Sequence, residues 1–168
     1  MSLTTLDIRE PGLNVLPPGV ERHVINAGGL TGLQIFPDDE IEIINEEGNQ
    51  ICEIVCFDKN GKSELGILNL KVNDKASFIR KILTKKVESS LITNHQLKKR
   101  NLNINEANSA IVFDNDTPNG EKLKFKSKDK CYVIFAAPQN EMLISDQNPS
   151  SDLTLFIKRS KIKDDKEL

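Results

Sequence analysis

Glu53 stands inside an otherwise apolar run, Ile51-Cys52-Glu53-Ile54-Val55-Cys56-Phe57, and has the strongest claim to chemistry in this chain. A strand buried on both faces reads as near-continuous hydrophobic sequence. A carboxylate within one is costly unless it is hydrogen-bonded, paired or put to use. Burial would raise its pKa and suit it to general acid or base work. A bond to a neighbouring strand or loop amide, or a sheet face open to water, would account for it equally. Gln50 opens the same strand and could hold a ligand or tie down the turn Glu47-Gly48-Asn49. Gln139 and Asn148 flank the loop after a second long apolar run, Cys131–Ala137. Ligand groups gather on such loops, and both residue types also suit turns. Gln50, Glu53, Gln139 and Asn148 are therefore the candidate ligand-binding residues, with no catalytic set and no metal set among them.

Other reactive side chains lack productive spacing. Cys52 and Cys56 would share one face of a strand about 13 Å apart, at about 3.3 Å per residue. That is too far for a disulfide or for one zinc ion, so both read as small buried hydrophobes. His23 and His95 are the only histidines, and neither has a second ligand at the spacings that hold a metal. No nucleophile elbow, P-loop or dinucleotide fingerprint is present. Asn26-Ala27-Gly28-Gly29 is glycine-rich but lacks the strand-to-helix setting that cradles phosphate, and it reads as a hairpin.

Strands are expected at Glu21–Ile25, Gly32–Phe36, Glu40–Asn45, Gln50–Phe57, Ala110–Phe113, Glu121–Ser127, Cys131–Ala137 and Leu153–Ile157, with a weaker one over Leu65–Leu70. Glu40–Asn45 and Glu121–Ser127 alternate as half-buried strands do, and Lys122, Lys124 and Lys126 form an outward row that reads as a solvated face or protected edge. Between them the pattern turns helical. Asp74 suits an N-cap, and Phe78, Ile79, Ile82 and Leu83 make an apolar stripe. A second helix from about Glu88 to Arg100 is expected to bury Leu91, Ile92 and His95. The fold class is mainly β: a β-sandwich or barrel-like domain with a small two-helix insert at about 74–100. Residues 1–20 read as an N-terminal arm, 21–160 as the β-rich domain and 161–168 as a charged linker or tail.

Composition narrows the partners. The chain has 168 residues, a formal net charge of −2, no Trp and seven Phe, so neither a basic field nor a stacking platform points to nucleic acid. No run approaches the roughly 20 apolar residues of a membrane span. There is no signal-peptide pattern, and Asp165-Lys166-Glu167-Leu168 only scrambles a retention signal. Three cysteines suit reduced thiols, and the expected location is cytoplasmic.

Two regions carry a resemblance. Asp39 to Gln50, followed by the strand with Glu53 and Cys56, is similar to the "Gly-Asn-Gln, apolar pair, acid, apolar pair, Cys" strand of the urea-carboxylase-associated family, long catalogued as a domain of unknown function. Ala136-Ala137-Pro138-Gln139-Asn140 and Asp146-Gln147-Asn148-Pro149 resemble its "Ser-Cys-Pro-Gln" and "Asn-Pro-Thr" segments. The resemblance implies hydrolytic chemistry on carboxylated guanidines and a suspected metal site. The chain departs from it at Ala137, where the family has cysteine, and at His95-Gln96, where it has a His-Asp pair. Domains of this degenerate type also resemble the N-terminal part of bacterial aminomethyltransferases related to the glycine-cleavage T-protein.

That second resemblance implies an accessory, non-catalytic domain of a folate-dependent aminomethyltransferase-like protein. Its partners would be a downstream transferase domain of the same chain that uses tetrahydrofolate, a small amine ligand and further copies of itself. The domain itself would hold no cofactor. The alternatives are a free-standing hydrolase or deiminase acting on a C–N bond, with Glu53 as acid/base, and a structural interaction module.

Overall fold

The computed structural model describes residues 16–139 and 150–161. The expected arm and tail fall largely outside them. Eight strands form two antiparallel four-stranded sheets. One sheet has the order β1 (Val20–Ile25), β8 (Leu153–Lys158), β3 (Glu40–Asn45), β6 (Glu121–Lys126). The other has the order β2 (Leu30–Ile35), β7 (Cys131–Ala136), β4 (Cys52–Asp58), β5 (Ser109–Val112). Two helices, α1 (Ser77–Leu83) and α2 (Glu88–Lys99), lie between β4 and β5 in sequence. The sandwich with a two-helix insert matches the expectation from periodicity.

The layering explains why β4 and β7 are apolar on both faces. One face of β4 (Cys52, Ile54, Cys56) and of β7 (Cys131, Val133, Phe135) packs between the sheets against Ile41, Ile43, Leu153, Leu155 and Ile157. The opposite face (Val55, Phe57, Tyr132, Ile134, Ala136) packs under Ile79, Ile82, Leu83 and Leu97 of the helices. Glu53 alternates onto this helical side. All three cysteines are free and buried in the inter-sheet core, as small hydrophobes. Burial is the largest of the effects that raise the Cys52 pKa, so its thiol stays neutral.

On β6 the lysine row faces water, and Lys122, Lys124 and Lys126 sit opposite Ile44, Glu42 and Glu40 on β3. Lys124 approaches Glu42 at 4.0 Å, a pair too exposed to stabilise much. At the sandwich end, Arg159 donates to Glu21 (2.8 Å), Asp39 (2.7 Å) and the Gln34 carbonyl (2.9 Å). Asp39 is buried and also accepts from the amides of Phe36 and Ser160. The Arg159 bond, partly opposed by desolvation, holds the Glu21 carboxyl below its ordinary pKa.

Four sequence expectations are corrected. Asn26–Gly29 is no hairpin turn: it carries the chain from β1, which pairs with β8, to β2, which pairs with β7 in the other sheet. Leu65–Leu68 is a 3-10 turn, not the start of a strand; Glu64 caps it through the Gly66 amide, and Asn69, at φ 57°, ends it. Asp74 does not cap α1: Ala76 occupies the N-cap position at φ 57°, while Asp74 accepts from the Lys75 amide and the Ser77 hydroxyl. In α2, Leu91 and Ile92 are 61% and 55% exposed, His95 is exposed, and Ser90, Thr93 and Leu97 are buried instead. The cause is polar docking. The Ser90 hydroxyl donates to the Ile82 carbonyl (2.7 Å) and the Asn94 amide to the Leu83 carbonyl (2.9 Å). These bonds tie α2 to the C-terminal carbonyls of α1 and set the rotation of α2.

Gly48 tests the turn that feeds β4. It has φ +76°, and a Cβ there would lie 2.6 Å from the Thr117 carbonyl oxygen. Gly120 has a similar φ of +79° with open space around it. Gly48→Ala should lower the unfolding free energy by about 2 kcal/mol or more, and Gly120→Ala by about 1 kcal/mol. Urea denaturation of both variants beside the parent checks the difference, and equal losses would mean that the Thr117 contact adds nothing.

Candidate functional site

Glu53 is fully buried and fully engaged. Its Oε1 accepts from the Ile79 amide at 2.7 Å, and its Oε2 accepts from the Ser109 hydroxyl at 2.9 Å. Ile79 is the third residue of α1, so Glu53 supplies the N-terminal cap from 26 positions away in sequence. Ser109 extends the bridge: its hydroxyl accepts from the Ala76 amide at 2.9 Å, and its backbone pairs with Asp74. Burial pushes the Glu53 carboxyl up, against the pull of the Ile79 amide and the Ser109 hydroxyl, and the neighbouring Asp74 carboxylate adds to the rise. Asp74 is itself held low, chiefly by the Ser77 hydroxyl. The neutral, protonated form of Glu53 is thereby favoured.

Gln50 is buried and its amide is equally committed. Nε2 donates to the carbonyls of Ile51 (2.9 Å) and Pro138 (2.8 Å), while Oε1 accepts from the Ser151 amide (2.9 Å). These bonds bring Gln50 beside Gln139, which is exposed and packs its side chain over Gly28. Asn45 Oδ1 and Ser151 Oγ, which belong to the same neighbourhood, have no hydrogen-bond partner among the described residues. Asn148 lies outside the described residues. The structure thus ties Gln50 to Pro138, the chain neighbour of Gln139, and sets Glu53 apart, facing the helices.

Sequence reasoning missed a cleft on the helical side. A hollow of about 230 Å³ opens between α2 and the β1–β2 edge. Its apolar walls are Val24, Leu30 and Ile92, and its polar walls include Thr31, Ser89 and Gln96. Gly32 and Tyr132 border it together. A Cβ on Gly32 would lie 2.0 Å from the Tyr132 hydroxyl, so glycine is what admits the phenol tip over β2. That hydroxyl is buried and has no hydrogen-bond partner among the described residues. The Arg100 guanidinium sits over the tyrosine ring, 4.6 Å from its centroid, and is anchored by the Gln34 side chain at 2.7 Å. Burial holds the Tyr132 pKa above its ordinary value, with Arg100 opposing, so the phenol stays a donor. The available signal was composition. Tyr132 is the sole tyrosine, and it lies in an apolar central strand where a polar tip needs a partner.

A larger hollow of about 730 Å³ surrounds Arg159, but the arms of Arg159 are already spent on Glu21, Asp39 and the Gln34 carbonyl. Among the described residues, no three His, Cys, Asp or Glu side chains converge as a metal set. Likewise, none of their helices is long and apolar enough to cross a membrane.

The chain is 34% identical over 156 residues to a trimethylamine-oxide aldolase from Ruegeria pomeroyi. The match takes in 93% of this chain and 20% of that protein, so the chain spans about one fifth of its relative's length. No family model matches. A crystal structure of a DUF1989-family protein from Silicibacter pomeroyi superposes with a TM-score of 0.48 at 8% identity, covering 85% of this chain and 80% of that one. The relative corrects two expectations. It is named as an aldolase, which overturns the reading of this chain as an accessory, non-catalytic domain of an aminomethyltransferase-like protein. The expectation of a downstream transferase domain as a partner rested on that reading and falls with it, the relative being named as an aldolase.

Removing the Glu53 carboxyl should separate its capping role from its charge. Glu53→Ala leaves the Ile79 amide and the Ser109 hydroxyl unpaired and should cost about 2–4 kcal/mol of stability. Glu53→Gln keeps an acceptor for Ile79 and should cost less than about 1 kcal/mol at neutral pH. A carboxyl raised in the folded state stabilises fully below its unfolded pKa, and that contribution is lost as pH rises through the folded value. Stability of the parent relative to Glu53→Gln should therefore fall as pH climbs above the ordinary carboxyl value of 4.5. Denaturant titrations at a series of pH values check this, and parallel curves would show that the Glu53 pKa is the same in the folded and unfolded states.

Proposed function

We propose that this chain belongs to an enzyme that cleaves a C–N bond of a small methylated amine oxide by aldolase-type chemistry, and that it is a degenerate member of the urea-carboxylase-associated family. The observation that carries the reading is the 34% identity to a trimethylamine-oxide aldolase across 93% of the chain. The match takes in nearly the whole sandwich, not one motif. The reaction is chemically self-contained. Trimethylamine N-oxide has the same atoms as dimethylamine plus formaldehyde: the N–O bond and one methyl C–N bond break, that carbon takes the oxygen, and one of its hydrogens ends on nitrogen, so no co-reactant is needed. The architecture supports a small substrate: the cleft beside α2 has about 230 Å³, with apolar walls and hydroxyl-bearing residues. A small pocket with few polar groups is the usual form of such sites.

The purified protein, incubated with trimethylamine N-oxide, should release formaldehyde and dimethylamine in equal amounts, measured by trapping the aldehyde and by proton NMR of the amine. Protein-dependent release in that ratio supports the reading. Neither product above the level of a heat-denatured control would overturn it.

A further inference from the structure

The Tyr132 hydroxyl is the polar group of the described fold that most lacks an explanation. Tyr132 is only 5% exposed, and its buried hydroxyl has no hydrogen-bond partner among the described residues. Buried polar groups almost always have one, because an unpaired group forfeits its hydration. Yet the fold goes out of its way to place this hydroxyl. Gly32 in the middle of β2 clears the space for it, at a position where any side chain would collide. Both residues border the same cleft, whose other walls are apolar at Val24, Leu30 and Ile92 and polar at Thr31, Ser89 and Gln96.

We propose that the cleft between α2 and β2 is a binding site for a small, neutral amine oxide whose oxygen accepts a hydrogen bond from the Tyr132 hydroxyl. The inference rests on the enzymatic reading above for the ligand class, and on the geometry of the cleft for the site. An amine oxide joins one strongly accepting oxygen to a compact apolar body. The oxygen matches the unpartnered Tyr132 hydroxyl among the polar groups of the cleft, and the methyl groups match Val24, Leu30 and Ile92. Arg100 adds selectivity. A guanidinium already occupies one face of the tyrosine ring, so the cation–π attraction that would draw a methylated ammonium to that ring is opposed by a like charge. The dipolar but neutral oxide carries no such penalty. The mouth of the cleft is rimmed by side chains that need not move far: Ile92 and Val24 are 55% and 40% exposed.

The test is a two-dimensional amide NMR titration of the full chain with trimethylamine N-oxide. A thermal shift would mislead, because this solute stabilises folded proteins generally by exclusion from their surface. Saturable shifts confined to Gly32, Thr93 and their neighbours are expected. Tyr132→Phe keeps the ring under Arg100, should fold as well as the parent, and should weaken binding at least tenfold. Ile92→Trp, which fills the mouth from an exposed position, should abolish it, and trimethylammonium should bind at least tenfold more weakly than the oxide. Undiminished binding to Tyr132→Phe, or shifts that do not saturate, would overturn this site. If the products of C–N cleavage still form in that event, the enzymatic reading stands and its site lies elsewhere.

Discussion

A single carboxyl joins the two layers of this fold. The helices of the insert bury one face on the sheet, but α1 spans only Ser77–Leu83 and would not be stable alone. Its N-terminal end has no cap of its own, because Ala76 offers none and Asp74 is turned to Ser77. Glu53, near the start of β4, supplies the missing acceptor, and Ser109 on the adjacent β5 relays the same bridge to the Ala76 amide. The insertion between β4 and β5 is thus pinned by the very strands it separates. A buried carboxyl in that position is tolerable because each oxygen has a donor, the Ile79 amide and the Ser109 hydroxyl.

The orientation of α2 follows from that anchoring. Once α1 is pinned, the carbonyls of Ile82 and Leu83 face the start of α2, and Ser90 and Asn94 take them up. This choice turns a narrow, partly polar face of α2 toward β2 and leaves Leu91 and Ile92 outside. A helix packed through Ser90 and Thr93 does not fill the space above a glycine in the opposing strand. The cleft over Gly32 and Tyr132 is a consequence of how the layers are joined, and it lies where the packing is least uniform. The described inter-sheet core is filled by Ile, Leu, Val, Phe and three free, buried cysteines.

The strands were legible because alternation and apolar runs report burial directly. Glu40–Asn45 and Glu121–Lys126 show their half-buried pattern in the residues themselves, and the double-sided burial of β4 and β7 shows in their unbroken hydrophobicity. The anomaly at Glu53 was also legible, though its partner was not, since a cap that reaches across 26 residues leaves no local spacing to read. The burial of α2 was misread for a related reason. Leu91 and Ile92 look like core by hydropathy, but two tertiary hydrogen bonds outweigh them in setting the helix rotation. Tyr132 and Gly32 were hidden because each fits an ordinary strand, and only their juxtaposition across the β2–β7 pair makes them unusual.

The same juxtaposition bears on where chemistry can happen in a molecule of this kind. Gln50 and Glu53, the polar groups most conspicuous in the sequence, have their strong hydrogen bonds committed to backbone and hydroxyl partners, so either would have to break structure to meet a ligand. Arg159 is in the same position, bound to two carboxylates and a carbonyl. A group that holds the fold together is poorly placed to exchange partners with a substrate, because each exchange would be charged against stability. Tyr132 carries no such commitment. Its ring is fixed by Arg100 and by the core beneath the helices, which orients the hydroxyl without occupying it. Rigid placement of an uncommitted donor is what a recognition site requires, and among the polar groups conspicuous here Tyr132 combines it with an adjoining cleft.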